Sequence, residues 1–383
     1  MDTSTLYFNE DHEALRAMVR KFVDQEINPH MDQWEQSGWP AHEVLGKMGE
    51  LGLLGITYDP EYGGQGLDYW FDLVFLEEIG HIQGVGVQAA ITDQTHMATP
   101  ALHEFGSDYL KETYLKPAVA GRMVAAIAVT EPDAGSDVAA LKTRARRDGE
   151  SYVINGSKTF ITNGVQSDFV VLLARTSDEP GYHSFSLFVV PKGRPGFNVG
   201  RKLDKVGLWS SDTAELFFED VRVPRENLIG EEGQGFIYQM KQFQHERFVT
   251  LPLTYSAATD IIKMTTAYIG QRIVFGKPLL QRQVLRHRIA EWLAEIEALR
   301  ALAYHITRMK VNKLDVTREV TKGKLLGGPM IRRVADGCLQ MFGGMGFMNE
   351  SLISRYWRDA RAASIAGGAD EVLAEVLVRL EGY

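Results

Sequence analysis

The chain has 383 residues, 45% apolar and 24% charged, with a formal net charge of −9. That is ordinary globular composition, enough for two or three domains at roughly 100–200 residues each. With no compensating basic field, the acidic balance argues against a general nucleic-acid or membrane-surface partner; the basic clusters at 144–147 and 332–333 are short, flanked by acids, and read as solvated faces.

The single cysteine, Cys338, can form neither an intrachain disulfide nor a thiolate metal site. Its apolar setting in residues 334–342 makes it a buried filler, and a reducing compartment follows. The amino terminus, Met-Asp-Thr-Ser-Thr, lacks the basic and apolar regions of a signal peptide. No apolar run reaches the ~20 residues that span a bilayer. The expectation is a soluble intracellular protein, cytoplasmic or, in a eukaryote, in the mitochondrial matrix after loss of a transit peptide.

Helical patterning comes first. Asn9 caps a helix with apolar positions at Leu15, Val19, Phe22 and Ile27, which Pro29 stops. Further helices are predicted over 43–51, 70–81, 88–103 and 108–119. Between them 60–66 must turn, since three glycines in four positions favour neither helix nor strand. Strand signals take over at 123–129, 152–154, 169–174, 185–190 and 214–218. Asn155-Gly156 reads as a hairpin turn, and short strands with regular turns indicate a small antiparallel β-barrel or sandwich.

Helical periodicity then returns over 284–311, where Leu285, Ile289, Trp292, Ile296, Leu299 and Leu302 share a face, and over 317–341 and 370–380. Such long segments pack most economically as a helical bundle. Pro252 is expected to kink or break the segment 236–269. The predicted order is a helical domain (1–122), a central β-barrel domain (123–232) and a C-terminal helical bundle (233–383): mainly α with a central β domain.

Several motifs fail. Gly84-Val85-Gly86-Val87-Gln88-Ala89 fits a loose dinucleotide fingerprint, but that fingerprint needs a preceding strand, and 73–81 reads as helix. His-Glu pairs begin at His12, His42, His103 and His245, yet none has a second His four residues on, so no zinc-protease helix forms. Neither a G-x-S-x-G elbow nor a P-loop lysine pattern occurs, and no metal set is expected. The distinctive run is Val129-Thr130-Glu131-Pro132-Asp133-Ala134-Gly135-Ser136-Asp137. It can present backbone N–H groups and Ser136 Oγ to an anion such as a pyrophosphate; a plain turn between strands is the other reading.

That run resembles the first signature of the acyl-CoA dehydrogenase family, and the remaining segments follow in order. Asn155-Gly156-Ser157-Lys158-Thr159-Phe160-Ile161-Thr162-Asn163-Gly164 is similar to the family's flavin-contacting strand. Ser211-Asp212-Thr213 and Phe218-Glu219-Asp220-Val221-Arg222-Val223-Pro224 resemble a later strand. Arg272-Ile273-Val274-Phe275-Gly276-Lys277-Pro278 resembles its R-x-x-F-G-K turn, and Gln340-Met341-Phe342-Gly343-Gly344-Met345-Gly346-Phe347 its Q-x-x-G-G-x-G-[FY] segment. The resemblance implies FAD, an acyl-CoA substrate, and a fold of helices, β-barrel and four-helix bundle. It places Thr130 and Thr162 at the flavin edge, Phe160 on the ring where many relatives carry Trp, and Ser136 at the pyrophosphate, near the bound CoA. Ala369 and Glu371 are also placed at the cofactor. Arg272, Phe275, Gln283, Gln340 and Gly344 would reach the FAD of a neighbouring subunit, implying a dimer of dimers. An electron-transferring flavoprotein is the implied electron acceptor.

The chemistry explains the need for such a site. A thioester's α-proton is too weakly acidic for a free carboxylate at neutral pH. Hydrogen bonds to the carbonyl oxygen stabilise the enolate-like transition state, and a buried carboxylate of raised pKa takes the proton. Many relatives place that Glu in a segment resembling I-Y-E-G-T, where this chain has Gly367. Long-chain and isovaleryl members also have a small residue there and set their Glu on a bundle helix, just before an Arg. Gln244-His245-Glu246-Arg247 matches that place, so the resemblance implies Glu246 as base, with Arg247, Gly367 and Gly368 at the substrate. Asp370 and Glu371 are competitors, though acids are favoured at a helix start for dipole reasons alone. Local runs resemble bacterial citronellyl-CoA dehydrogenases, and the expected substrate is long-chain or branched. Acyl-CoA oxidases, flavin monooxygenases and a silent flavin-binding assembly partner remain the alternatives on the same scaffold.

Overall fold

The computed structural model describes residues 6–179 and 181–383, so the leader reading of residues 1–5 lies outside the described residues. Asn9 caps α1 (Glu10–Phe22) in a reciprocal box with His12: the Asn9 side chain accepts from the His12 amide, and the His12 ring accepts from the Asn9 amide. The chain turns through a short 3₁₀ segment at Pro29 and re-enters helix at once in α2 (Met31–Ser37), an element absent from the prediction. Then come α3 (Ala41–Glu50), α4 (Tyr69–Ile79), α5 (Val85–Thr92), α6 (Pro100–Phe105), α7 (Asp108–Leu110) and α8 (Lys116–Val119). The helix expected over 88–103 is interrupted by a π-turn at Asp93–Ala98, a distortion frequent at functional sites. A second π-turn, Lys111–Leu115, divides the helix expected over 108–119.

The strands are β1 (Ala125–Ala128), β2 (Arg144–Asp148), β3 (Ser151–Thr162), β4 (Phe169–Arg175), β5 (Phe185–Pro191), β6 (Phe197–Lys202), β7 (Thr213–Pro224) and β8 (Leu228–Ile229). They pair in the order β6-β7-β3-β2-β4-β5-β8, with β1 parallel to β4. The expected closed antiparallel barrel is therefore corrected to an open, mixed sheet. Closure would need β6 to pair with β8, but β8 has two residues and β6 ends in exposed Arg201 and Lys202, a charged edge that discourages pairing. The run Phe169–Ala174 in β4 is buried throughout, its residues alternating between one core with Leu115 and Phe185 and another with Tyr152 and Phe188.

Asn155-Gly156 is not a hairpin turn. β3 runs through it with a register shift between Ile154 and Gly156, and the β2–β3 turn lies at Gly149. The bulge needs glycine: Gly156 has φ +149°, and a Cβ there would sit 2.4 Å from Thr143 Oγ1. Asn155 instead exchanges hydrogen bonds with Asp220 on β7.

The remainder is α9 (Gly235–Gln271), a β9–β10 hairpin (Ile273–Val274, Lys277–Pro278), α10 (Gln283–Val311), α11 (Thr317–Phe342), α12 (Leu352–Ala360) and α13 (Asp370–Leu380). α9 is one helix and does not break at Pro252. The lost hydrogen bond and ring clash cost about 3 kcal/mol, but Phe248, Val249, Leu251, Tyr255 and Ala258 around it are all buried in one core with α4, α10 and α11. Cys338 lies in that core, its thiol pushed up to about 11 by burial. Among the described residues no helix is long and apolar enough to cross a membrane, and no group of three or more His, Cys, Asp or Glu could hold a metal.

Candidate active site

Glu246 lies eleven residues into α9, half-buried, facing the loop that leads into α13. A Cβ placed on Gly367 would stand 3.3 Å from Glu246 Oε1 and 3.5 Å from Lys324 Cε. The φ of +68° at Gly367 suits glycine and turns the backbone toward the carboxylate. Its amide has no backbone or side-chain acceptor among the described residues. Lys324 of α11 is 2% exposed and donates from Nζ to Ala363 O at 2.5 Å, tying α11 to this loop. Burial raises the Glu246 pKa above the usual carboxylate range, opposed by the Arg247 and Lys324 charges.

A second buried acid sits nearby. Asp93, first residue of the π-turn, accepts from the Ile127 amide and, at 3.5 Å, from Asn163 Nδ2. Burial and then the Glu246 and Asp212 charges hold its pKa well above normal. Sequence reasoning missed Asp93 and Lys324. The available signal was a charge within an otherwise apolar helical stretch, which periodicity assigns to a surface. Asp370 and Gly368 lie half-buried beside Gly367, whereas Glu371 is exposed on the first turn of α13.

The β domain supplies an opposite kind of surface. Lys158 is fully buried and donates from Nζ to Val129 O (2.7 Å) and Glu131 Oε1 (2.9 Å). The Thr159 amide donates to Thr130 O at 2.9 Å. These bonds clamp the 129–137 loop to the end of β3 and bring Thr130, Phe160 and Thr162 together. Burial opposes the Glu131 charge, but Lys158 and the amides of Lys142 and Thr143 hold its pKa low; burial pushes Lys158 down to about 8. Phe160 has φ +61° and is 67% exposed. A left-handed aromatic costs about 1–2 kcal/mol, and such strain clusters at ligand sites. Thr130 and Thr162 are half-buried beside it, their hydroxyls without partners among the described residues. Gly135 and Ser136 are exposed with amides that meet no acceptor there, and a Cβ on Gly135 would touch only Thr130 Cγ2 at 3.7 Å. A bare ring, two unpaired hydroxyls and a turn of unpaired amides fit the face, edge and pyrophosphate of a flavin dinucleotide.

Arg272, Phe275, Gln283, Gln340 and Gly344 are not brought to Glu246 within one chain. Arg272 follows the far end of α9, about 40 Å along the helix from Glu246. The five nevertheless share one end of the bundle, because Tyr268 stacks on Phe342 at 4.2 Å while its carbonyl accepts from the Arg272 amide. All five are exposed, Phe275 by 94%, with Ile273, Met345 and Phe347 also bare.

A half-buried carboxylate on the bundle and a bare ring with unpaired hydroxyls and amides on the sheet suit a flavoprotein oxidoreductase. Models of the acyl-CoA dehydrogenase N-terminal, middle and C-terminal domains match residues 9–122, 126–221 and 233–380. The chain is 37% identical over 374 residues to the mitochondrial long-chain specific acyl-CoA dehydrogenase of Sus scrofa, covering 97% of this chain and 86% of that one. It is 40% identical to a probable acyl-CoA dehydrogenase of known structure from Mycobacterium abscessus, with TM-score 0.94 and coverage of 98% and 100%. A glutaryl-CoA dehydrogenase from Mycobacterium smegmatis, solved in complex with FADH2, is 29% identical with TM-score 0.92, covering 100% of this chain and 97% of that one. The chain belongs to the acyl-CoA dehydrogenase family, FAD-dependent oxidoreductases of fatty-acid metabolism.

Proposed function

We propose that the chain dehydrogenates a long-chain or branched acyl-CoA to the trans-2-enoyl-CoA, with Glu246 as the catalytic base. One observation carries this reading: the space that a side chain at Gly367 would fill is the space beside the Glu246 carboxylate. A carboxylate on α9 thus addresses the same locus as one in the loop before α13. The silent-partner alternative requires Glu246 to face solvent, and its half-buried setting with a raised pKa weighs against that.

In this reading Thr130, Phe160, Thr162 and Ser136 hold the FAD, with Ala369 and Glu371 at its rim. Arg272, Phe275, Gln283, Gln340 and Gly344 serve the FAD of a neighbouring copy in a dimer of dimers. Bound there, FAD supplies the acceptor for a hydride from the substrate's β-carbon. The free Gly367 amide donates to the thioester carbonyl oxygen, where negative charge grows as the α-proton leaves. Glu246 takes that proton; its raised pKa, set by burial, brings proton affinity closer to neutrality, where a general base is most effective. The Arg247 and Lys324 charges oppose that rise. Arg247, Gly368 and Ser136 line the substrate's path, and electrons pass on to an electron-transferring flavoprotein.

Anaerobic bleaching of the purified flavoprotein by a panel of acyl-CoAs tests the activity. Re-oxidation by dye then separates a dehydrogenase from an oxidase or monooxygenase, which oxygen re-oxidises instead. A flavin that no acyl-CoA bleaches would sink the reading.

A further inference from the structure

The residue before Glu246 serves a different space. His245 lines a cavity of about 530 Å³ that also borders Tyr58, Tyr69, Asp72, His96 and His103. The π-turn Asp93–Ala98 spans the gap between this cavity and the base: Asp93 lies close enough to feel the Glu246 charge, and His96, one turn on, lines the cavity.

Most polar groups here are already engaged. His96 bonds Thr95 Oγ1 at 2.7 Å and Asp72 Oδ1 at 2.9 Å. Tyr58 Oη lies against Thr95 O and Thr99 Oγ1, and His103 pairs with Asp59. Glu104 and Lys313 also border the cavity but are exposed; among the half-buried groups two donors are left over. The Tyr69 hydroxyl has no partner among the described residues. Lys310 Nζ lies 3.4 Å from His245 Nδ1, and an ammonium has no acceptor to offer. Nδ1 must therefore accept, which puts the ring hydrogen on Nε2. Burial holds the His245 pKa well below normal, so the ring stays neutral. Lys310 itself is 9% exposed, lies 4.0 Å over the Tyr69 ring, and hydrogen-bonds no carboxylate among the described residues. The Asp72 carboxylate, held by His96, is near enough to raise the Lys310 pKa against the burial that pulls it down to about 8, and a purely hydrocarbon occupant would leave the Tyr69 and His245 donors unanswered.

We propose that this cavity receives the end of the acyl chain remote from the thioester and selects chains carrying an oxygen acceptor there, a hydroxyl or a carboxylate. Tyr69 O–H and His245 Nε2–H are the donors that recognise it, with the Lys310 charge behind them. The inference rests on the dehydrogenase reading above and deepens it to a substrate class.

The test uses the FAD-loaded enzyme and anaerobic flavin reduction by three acyl-CoAs of matched length: unsubstituted, ω-hydroxy and ω-carboxy. A donor that lines the cavity without a protein partner discriminates between occupants, so one or both oxygenated chains should exceed the unsubstituted one by about tenfold or more in reduction rate over Kd. A lead for the carboxylate over the hydroxyl identifies the Lys310 charge as the dominant contact; the reverse identifies the neutral donors. Tyr69→Phe, which removes one oxygen and little volume, and His245→Gln should each shrink the ratio. If the unsubstituted chain equals or beats both oxygenated ones, or if neither variant moves the ratio, the inference is overturned while the dehydrogenase reading stands. If none of the three bleaches the flavin, both fall together.

Discussion

The two ends of α9 break the usual partition of residues in opposite directions. Near its start a charged Glu246 is drawn into the protein beside a buried lysine, and burial raises its pKa. Beyond its end Phe275 stands 94% exposed with Ile273, Met345 and Phe347 bare around it. Buried charge and clustered exposed hydrophobics are each the informative exception to ordinary burial. The first is complete in one chain, since Lys324, Gly367 and Ala363 that frame Glu246 all belong to it. The second makes sense only against another surface. On the proposed reading, one helix carries the base of its own site at one end and, at the other, residues that serve a neighbouring copy, so the first should govern chemistry and the second assembly and FAD retention.

Glu246→Gln is the largest expected effect. It keeps volume and hydrogen bonding but removes the proton acceptor, so stopped-flow flavin reduction should slow by roughly 10²–10⁴-fold with substrate affinity unchanged. Wild-type reduction in this variant would move attention to Asp370. Gly367→Glu on a Glu246→Ala background should restore part of the rate, limited by the about 1–2 kcal/mol that a left-handed side chain costs. The truncation at 246 is needed because the new Cβ lies only 3.3 Å from the present carboxylate oxygen. At the other end, Phe275→Ser should act on assembly and FAD retention more than on proton abstraction by Glu246. If a partner covers the ring, losing its burial costs about 1.5–3 kcal/mol, weakening assembly by roughly 10–100-fold with FAD loss on dilution. Arg272→Ala should shed FAD similarly. Sedimentation and flavin-to-protein absorbance ratios read both, and a monomer that retains FAD tightly would dissolve the comparison.

What could be read ahead of the structure follows a physical line. The Asn9 cap, the apolar face of α10 and the helix–strand–helix order were legible because they depend on near neighbours in sequence. The open sheet was not, since closure depends on whether β6 and β8 meet, a long-range fact. The charged strands β2 and β6 and the seven-residue α2 gave no periodic signal long enough to weigh. Asn155-Gly156 looked like a turn because local propensity cannot see Thr143 crowding its backbone. Among site residues, family motifs pointed to Glu246, Gly367 and the flavin wall. Asp93 and Lys324 stayed hidden because a charge inside a helix reads as surface until its neighbours are known.

The smallest expected effect concerns Lys324 and sharpens what the buried end of α9 does. Glu246 accepts a proton only when ionised, so flavin reduction should rise with pH through its pKa and level off above it. Burial raises that pKa, placing the acid limb above the ordinary carboxylate range, while the Arg247 and Lys324 charges pull it back. Lys324→Met removes one of those charges, so the limb should move to higher pH, with a loss of about 2–10-fold at pH values on its slope and little on the plateau. The same substitution deletes the Nζ bond to Ala363 O, which could loosen the loop carrying Gly367. The two consequences separate cleanly: a slackened loop lowers the plateau without moving the midpoint, whereas a lost charge moves the midpoint. Lys324→Arg, which keeps the charge, should leave the midpoint near its original position even if the bond to Ala363 is imperfect. A midpoint unmoved by Lys324→Met would mean that burial and Arg247 alone set the ionisation of Glu246.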